Sequence, residues 1–284
     1  MSSTGPRSDG RIWASDDLEG LPPTVNIYPW EGPDHFQSIV DSELHQFKDP
    51  QCSSPCDWIV FSNVSETIFE REFEEETDLS KQWKSYNCSR QLLFVEIAKS
   101  TSEHTEATQT FNYILKEAVD RMGLSTALKN FSGTKVRGDD LAKVPDNGWG
   151  PRRPPAGRSR KWPTVVLEVG VSQRKAKLQE DARFWLEESE GDVKISLAIS
   201  VNRRIPEIVL EKWKVSNGKA AMAQKVMVWR HNEDTLFDNE PLIVEFEDLF
   251  LREPDIPREV NFELDKGNLR RLAENIWLEQ GFME

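Results

Sequence analysis

The chain has 284 residues, 37% of them hydrophobic, with ten tryptophans and a formal net charge of −13 at pH 7. That is apolar material enough for one large core or two smaller ones, and no stretch approaches the roughly 18 apolar residues of a membrane helix. The surplus of acid excludes a surface that meets nucleic acid all over, because phosphate contacts need Lys and Arg.

The first residues lack the apolar core of a secretory signal, and Cys52, Cys56 and Cys88 are too few and odd in number for a disulfide framework. The expectation is an intracellular protein, cytoplasmic or nuclear, with no membrane partner. Residues 1–20 are polar and rich in Gly, Ser and Asp, the composition of a disordered tail. The rest, 21–284, reads as a single domain: an N-terminal β-rich elaboration over 21–98, an α/β core over 99–250 and a C-terminal segment with a helix over 251–284.

Asp57–Ser62 and Gln91–Ile97 are predicted strands from their β-branched and aromatic content, and the acid-rich run Glu70–Asp78 between them reads as a solvated face or loop. Cys52-x3-Cys56 with His45 and Cys88 offers zinc-ligand types, but not at the spacing of a compact knuckle, and small buried apolar residues are the simpler reading. Ser100 with Glu103 fits a capping box. Ala107, Phe111, Ile114, Leu115, Ala118 and Met122 then share one helical face, and Gly123 stands at the stop. His104 and Glu106 lie in the first turns, where a carboxylate complements the helix dipole.

The connection from Phe131 to Trp162 is dense in Gly, Pro and Arg. Between Phe131 and Lys177 there are eleven basic residues against four acidic ones, so the one basic zone of an acidic chain lies here. Arg152, Arg153, Arg158, Arg160 and Lys161 are the candidate phosphate contacts; a solvated Pro/Arg loop balancing an acidic body is the plainer alternative.

The next run, Thr164–Ser172, alternates between a wholly apolar face (Val165, Leu167, Val169, Val171) and one carrying Glu168 and Gly170. A helix is predicted over Lys177–Ser189, with Leu178, Ala182, Trp185 and Leu186 inward and Asp181 at the edge of that face. Strands follow over Val193–Val201, Glu207–Val215 and Gln224–His231, with a turn at Ser216-Asn217-Gly218. After a short strand, Leu242–Phe246, a last helix runs over Asp265–Gln280.

A lone carboxylate in so apolar a strand needs a partner. Asp146 and Glu168 could together hold a hard divalent cation, Mg2+ or Mn2+, beside cations that stabilise a phosphoryl group. The order helix, Pro145-Asp146, Pro163-Thr-Val-Val-Leu-Glu-Val-Gly-Val-Ser-Gln173, Leu178-x2-Asp181-Ala182-x2-Trp185-Leu186, Val193-Lys-Ile and Val209-Leu-Glu-Lys-Trp213 resembles the fungal branch of the PD-(D/E)XK, restriction-endonuclease-like nucleases. The resemblance covers about Ser100–Trp213. It implies an α/β core with a mixed four-stranded sheet flanked by helices, Asp146 and Glu168 as metal ligands, and Glu106 as a further ligand from the first helix.

The chain departs from that family at the motif lysine, which is Gly170 here. Gln173, Lys175 or Lys177 are the residues that could reach the vacated place. Glu96-x2-Lys99 is a rival motif, but its two side chains fall on opposite faces and no Pro-Asp turn leads into it. The reading is a Mg-dependent nuclease acting on DNA or RNA. The alternative is a catalytically degenerate nuclease-fold protein that binds nucleic acid or protein, with an acidic N-terminal half that meets a basic partner as a third.

Overall fold

The computed structural model describes residues 18–283 except 23, 50–56, 76, 98–100, 139 and 172–174. Cys52, Cys56, Lys99, Ser100, Gln173, Arg174 and the expected tail as far as residue 17 lie outside the described residues. The elements in chain order are β1 (Asn26–Pro29), α1 (Pro33–Lys48), β2 (Trp58–Ser62), α2 (Glu66–Phe69), β3 (Ser85–Asn87), β4 (Leu92–Glu96), α3 (Ser102–Met122), β5 (Leu128–Asn130), β6 (Val136–Arg137) and β7 (Leu141–Lys143). There follow β8 (Asn147–Pro151), β9 (Val165–Val171), α4 (Lys175–Glu187), β10 (Ile195–Val201), β11 (Glu207–Ser216), β12 (Lys219–His231), β13 (Asp234–Asp238), β14 (Leu242–Val244), α5 (Phe246–Phe250), β15 (Phe262–Leu264) and α6 (Lys266–Glu279). They form two compact units, Met1–Ser100 with Lys135–Val144, and Thr101–Thr134 with Pro145–Glu284. No described helix is long and apolar enough to cross a membrane.

The first unit is built on a six-stranded sheet in the order β1-β2-β4-β3-β7-β6, parallel between β1 and β2 and antiparallel elsewhere. Leu18, inside the stretch that composition assigns to the tail, is fully buried with Leu21, Val25, Trp58 and Phe94. α1 starts on Pro33, buries Phe36, Ile39 and Phe47, and seats Glu43 among them, where Tyr28 Oη and Asn26 Nδ2 donate to its carboxylate. Within the run expected as a solvated face or loop, Glu70–Glu74 continues α2 as a π-helical turn that buries Phe73 and leaves Glu70 exposed. Arg137 reaches Glu66, Glu70 and Glu74 from β6, and Lys135 Nζ donates to the Phe73 and Glu74 carbonyls. One cation shared by three carboxylates and one shared by two carbonyls account for order in so acidic a run.

The second unit carries a seven-stranded sheet in the order β13-β12-β11-β10-β9-β8-β5. Only β9 and β10 run parallel; the parallel pair needs a crossover, and α4 supplies it. α3 opens on Thr101, whose hydroxyl accepts the His104 N–H, and closes on left-handed Gly123 at φ 79°. The cap is therefore one residue later than the Ser100 that the sequence suggests. β11 and β12 form a hairpin about Asn217-Gly218, both at positive φ, the two-residue turn that matches strand twist. α6 is capped by Asp265 and buries Leu269, Leu272, Ala273, Ile276 and Trp277.

Candidate functional site

β9 is buried along its whole length, as a central strand covered on both faces must be. Its register with β10 sets Glu168 beside Ala198 and Gly170 beside Ser200. Glu168 is 1% exposed, and its Oε1 accepts the Trp185 indole N–H of α4 at 2.5 Å. Sequence spacing puts Trp185 two helical turns from Lys177, and all of Lys177, Asp181 and Trp185 are buried on the sheet-facing side of α4.

β8 and β9 are antiparallel, with Asn147 opposite Leu167; continuing that register by one residue brings Asp146 to Glu168. The backbones are therefore adjacent, but the side chains engage different helices. Asp146 Oδ2 accepts the Val169 N–H at 2.8 Å and lies 3.3 Å from His104 Nε2 of α3, with both side chains nearly inaccessible. Imidazole and carboxylate are two donors that a divalent cation can use. Among the described residues, Glu168 belongs to no group of three or more His, Cys, Asp or Glu ligand atoms within 4.8 Å of one another. A small cation such as Mg2+ is usually held by one or two carboxylates with waters completing the octahedron; in this chain the partners of Asp146 and Glu168 include the Val169 N–H, His104 and the Trp185 N–H.

The residues that could replace the motif lysine separate. Lys177 is fully buried and bound to Asp181 Oδ1 at 2.5 Å, one turn along the same helix. Lys175 is largely exposed, 3.7 Å from Glu211 Oε1, and Gln173 lies outside the described residues. Glu106 is half-buried, accepting from Thr110 Oγ1 and from Asn275 Nδ2 of α6. In the first unit, the rival Glu96 is buried 3.8 Å from Lys84 Nζ. His104 is the member of the site that motif reasoning misses. Its signal is periodic: it stands on the face of Ala107, Phe111 and Leu115, a polar residue in the core stripe.

The basic stretch also divides. Arg158 is an anchor: its guanidinium, about 10% exposed, pairs with Asp192 Oδ2 and donates to the Asp192 carbonyl, both at 2.5 Å. Burial pushes it below the usual arginine value, against the pull of Asp192. Arg152 is exposed but donates to the Thr126 and Leu128 carbonyls. Arg153, Arg160 and Lys161 face solvent, the last 5.8 Å over the Trp162 ring. Two recesses adjoin here, sharing Pro151 and Arg152. One of about 160 Å³ is lined by Lys129, Arg152, Arg158 and Arg160 beside Phe131 and Trp162; one of about 660 Å³ is lined by Arg152, Arg153 and Arg252. Among the described residues, no carboxylate lines either.

No family model matches the chain, and no curated protein does. Among solved structures, one from Anabaena variabilis, named as a candidate nuclease belonging to DUF820, is 12% identical to this chain. The match covers 63% of this chain and 83% of that one, at a TM-score of 0.33. So distant a likeness leaves the functional reading to rest on the chain's own geometry.

Proposed function

We propose that the second unit is a PD-(D/E)XK-like fold that binds DNA or RNA through its arginine-lined face, with its motif carboxylates turned to structural use. Support for the fold comes from the succession α3, β5, β8, β9, α4, β10, with β5-β8-β9-β10 as neighbours in one mixed sheet. The observation that carries the function is a contrast of exposure. Asp146, Glu168 and Lys177, the side chains that hydrolysis would need, are each nearly inaccessible and bonded within the protein. Arg152, Arg153, Arg158 and Arg160 instead line open recesses that, among the described residues, hold no carboxylate. A polyanion reaching this face meets Arg152, Arg153 and Arg160, which among the described residues have no carboxylate partner, whereas Arg158 is paired with Asp192, and it releases counterions on binding.

The test is titration of labelled single-stranded and duplex DNA and RNA by fluorescence anisotropy at several salt concentrations. Binding with a steep salt slope, weakened by Arg153→Ala and Arg160→Ala, is expected. A flat slope, or variants that bind as the wild type does, contradicts the reading.

A second reading, divalent-metal-dependent phosphodiester hydrolysis, is favoured by one observation, the register that brings Asp146 to Glu168 with His104 at its side. It requires both carboxylates to turn toward a common ion. Its test is a cleavage assay with Mg2+ or Mn2+ on wild type, Asp146→Ala and Glu168→Ala.

A further inference from the structure

A third recess, of about 100 Å³, lies between the start of α4 and the sheet, and among the described residues it shares none with the two arginine-lined recesses. Its floor follows from register. Glu168, Ala198, Glu211 and Lys225 are successive neighbours across β9, β10, β11 and β12, and Gly170, Ser200 and Val209 form the next row. Ala198, Ser200, Val209, Glu211 and Lys225 all line the recess, and Lys175 and Leu178 of α4 close it above. Two small residues, Gly170 and Ser200, stand side by side where the family pattern would extend a lysine, and their row borders this space.

The charges of its described lining residues do not cancel. Glu211 is buried; one oxygen accepts the Trp213 indole N–H at 3.1 Å and the other faces Lys175 at 3.7 Å. Lys225, half-buried as a residue, stands opposite Glu211 in the ladder, and among the described residues its side chain makes no ion pair or hydrogen bond. Its ammonium and the Ser200 hydroxyl both belong to residues that line the opening. Among the described lining residues one carboxylate stands against two ammonium groups, with Glu168 one strand further along the same row and occupied by the Trp185 N–H. A volume of about 100 Å³ admits several water-sized groups, the bulk of a tetrahedral oxyanion rather than of a nucleoside.

We infer that this recess binds a phosphate group, with Lys225 and Lys175 supplying charge and the Ser200 hydroxyl a hydrogen bond. The group has two sources, free inorganic phosphate or the terminal phosphate of a nucleotide chain. The site is independent of the arginine-lined face, so failure of either leaves the other standing.

The experiment is isothermal titration of the full chain with inorganic phosphate at constant ionic strength, with acetate as a comparison anion. A parallel arm compares 5′-phosphorylated and unphosphorylated oligonucleotides. Saturable binding of phosphate is expected in the wild type, about tenfold or more weaker in Lys225→Gln, as for loss of one charge-assisted contact. Glu211→Gln keeps an acceptor for Trp213 and removes the competing charge, so it is expected to bind phosphate more tightly than wild type. Preference for the phosphorylated oligonucleotide, lost in Lys225→Gln, identifies the chain terminus as the source; phosphate binding without that preference identifies the free ion. Absence of saturable phosphate binding, equal affinity in Lys225→Gln, or acetate bound as tightly as phosphate overturns the assignment.

Discussion

Replacing Glu168 by Ala separates a structural carboxylate from a metal ligand. The side chain is 1% exposed and is the acceptor for the buried Trp185 N–H. Its removal leaves that donor without its partner, at about 1–3 kcal/mol, and empties side-chain volume between β9 and α4, which adds to the loss. A total of about 3 kcal/mol lowers the melting temperature of a unit of this size by roughly 6–12 °C. Glu168→Gln keeps both the volume and an acceptor for the indole, so less than half of that shift is expected. Calorimetry of the two variants, with and without Mn2+, supplies the comparison. Carboxylates kept for function generally cost stability, so a Glu168→Ala protein that melts at or above the wild-type temperature would refute the structural role.

Four further outcomes follow from the same geometry. Lys177→Ala leaves Asp181 charged and buried, and is expected to destabilise by about 3–5 kcal/mol in chemical denaturation; a change under about 1 kcal/mol contradicts the pairing. Arg158→Ala is expected to lower the melting temperature, because it removes contacts to Asp192 and the Trp162 and Pro163 carbonyls, whereas Arg153→Ala leaves melting unchanged. On duplex DNA, Arg153→Ala is instead expected to reduce the salt slope by about 0.9 if that arginine meets one phosphate, and an unchanged slope removes it from the interface. Arg252 binds Glu259 through both guanidinium nitrogens at 2.7 Å, the Asp255 N–H adds a third bond, and together they hold the carboxyl down to about 2. A lowered value stabilises the fold above the ordinary carboxylate range and is lost as pH falls toward 2; Glu259→Gln is therefore expected to lose less stability than wild type between pH 4.5 and 2, and parallel acid limbs contradict it.

The second unit was the more legible in sequence because its elements follow simple periods. The apolar stripe of α3, the alternation of β9 and the capped α6 need no knowledge of their neighbours, and each lies within two or three residues of its expected bounds. α1 escaped because Glu43 occupies a core position that only Tyr28 and Asn26 explain. The π-helical turn escaped because its order depends on Lys135 and Arg137, more than sixty residues away in sequence. At the candidate site, the sequence singled out Asp146 and Glu168 but not the direction of their side chains. Val169 N–H and His104 hold one, Trp185 holds the other, and partners on α3 and α4 are beyond the reach of a motif. The basic stretch was legible as charge alone; that Arg158 is an anchor depends on Asp192, a tertiary contact.

The central claim, polyanion binding by a nuclease-like fold without hydrolysis, is tested most directly by one incubation series. Labelled DNA and RNA are mixed with wild type, Asp146→Ala and Glu168→Ala in Mg2+ or Mn2+, and binding and strand integrity are read from the same samples. The expected result is salt-sensitive binding by the wild type with intact strands. Cleavage by the wild type that disappears in both variants, while their binding persists, contradicts the claim and assigns the two carboxylates to catalysis.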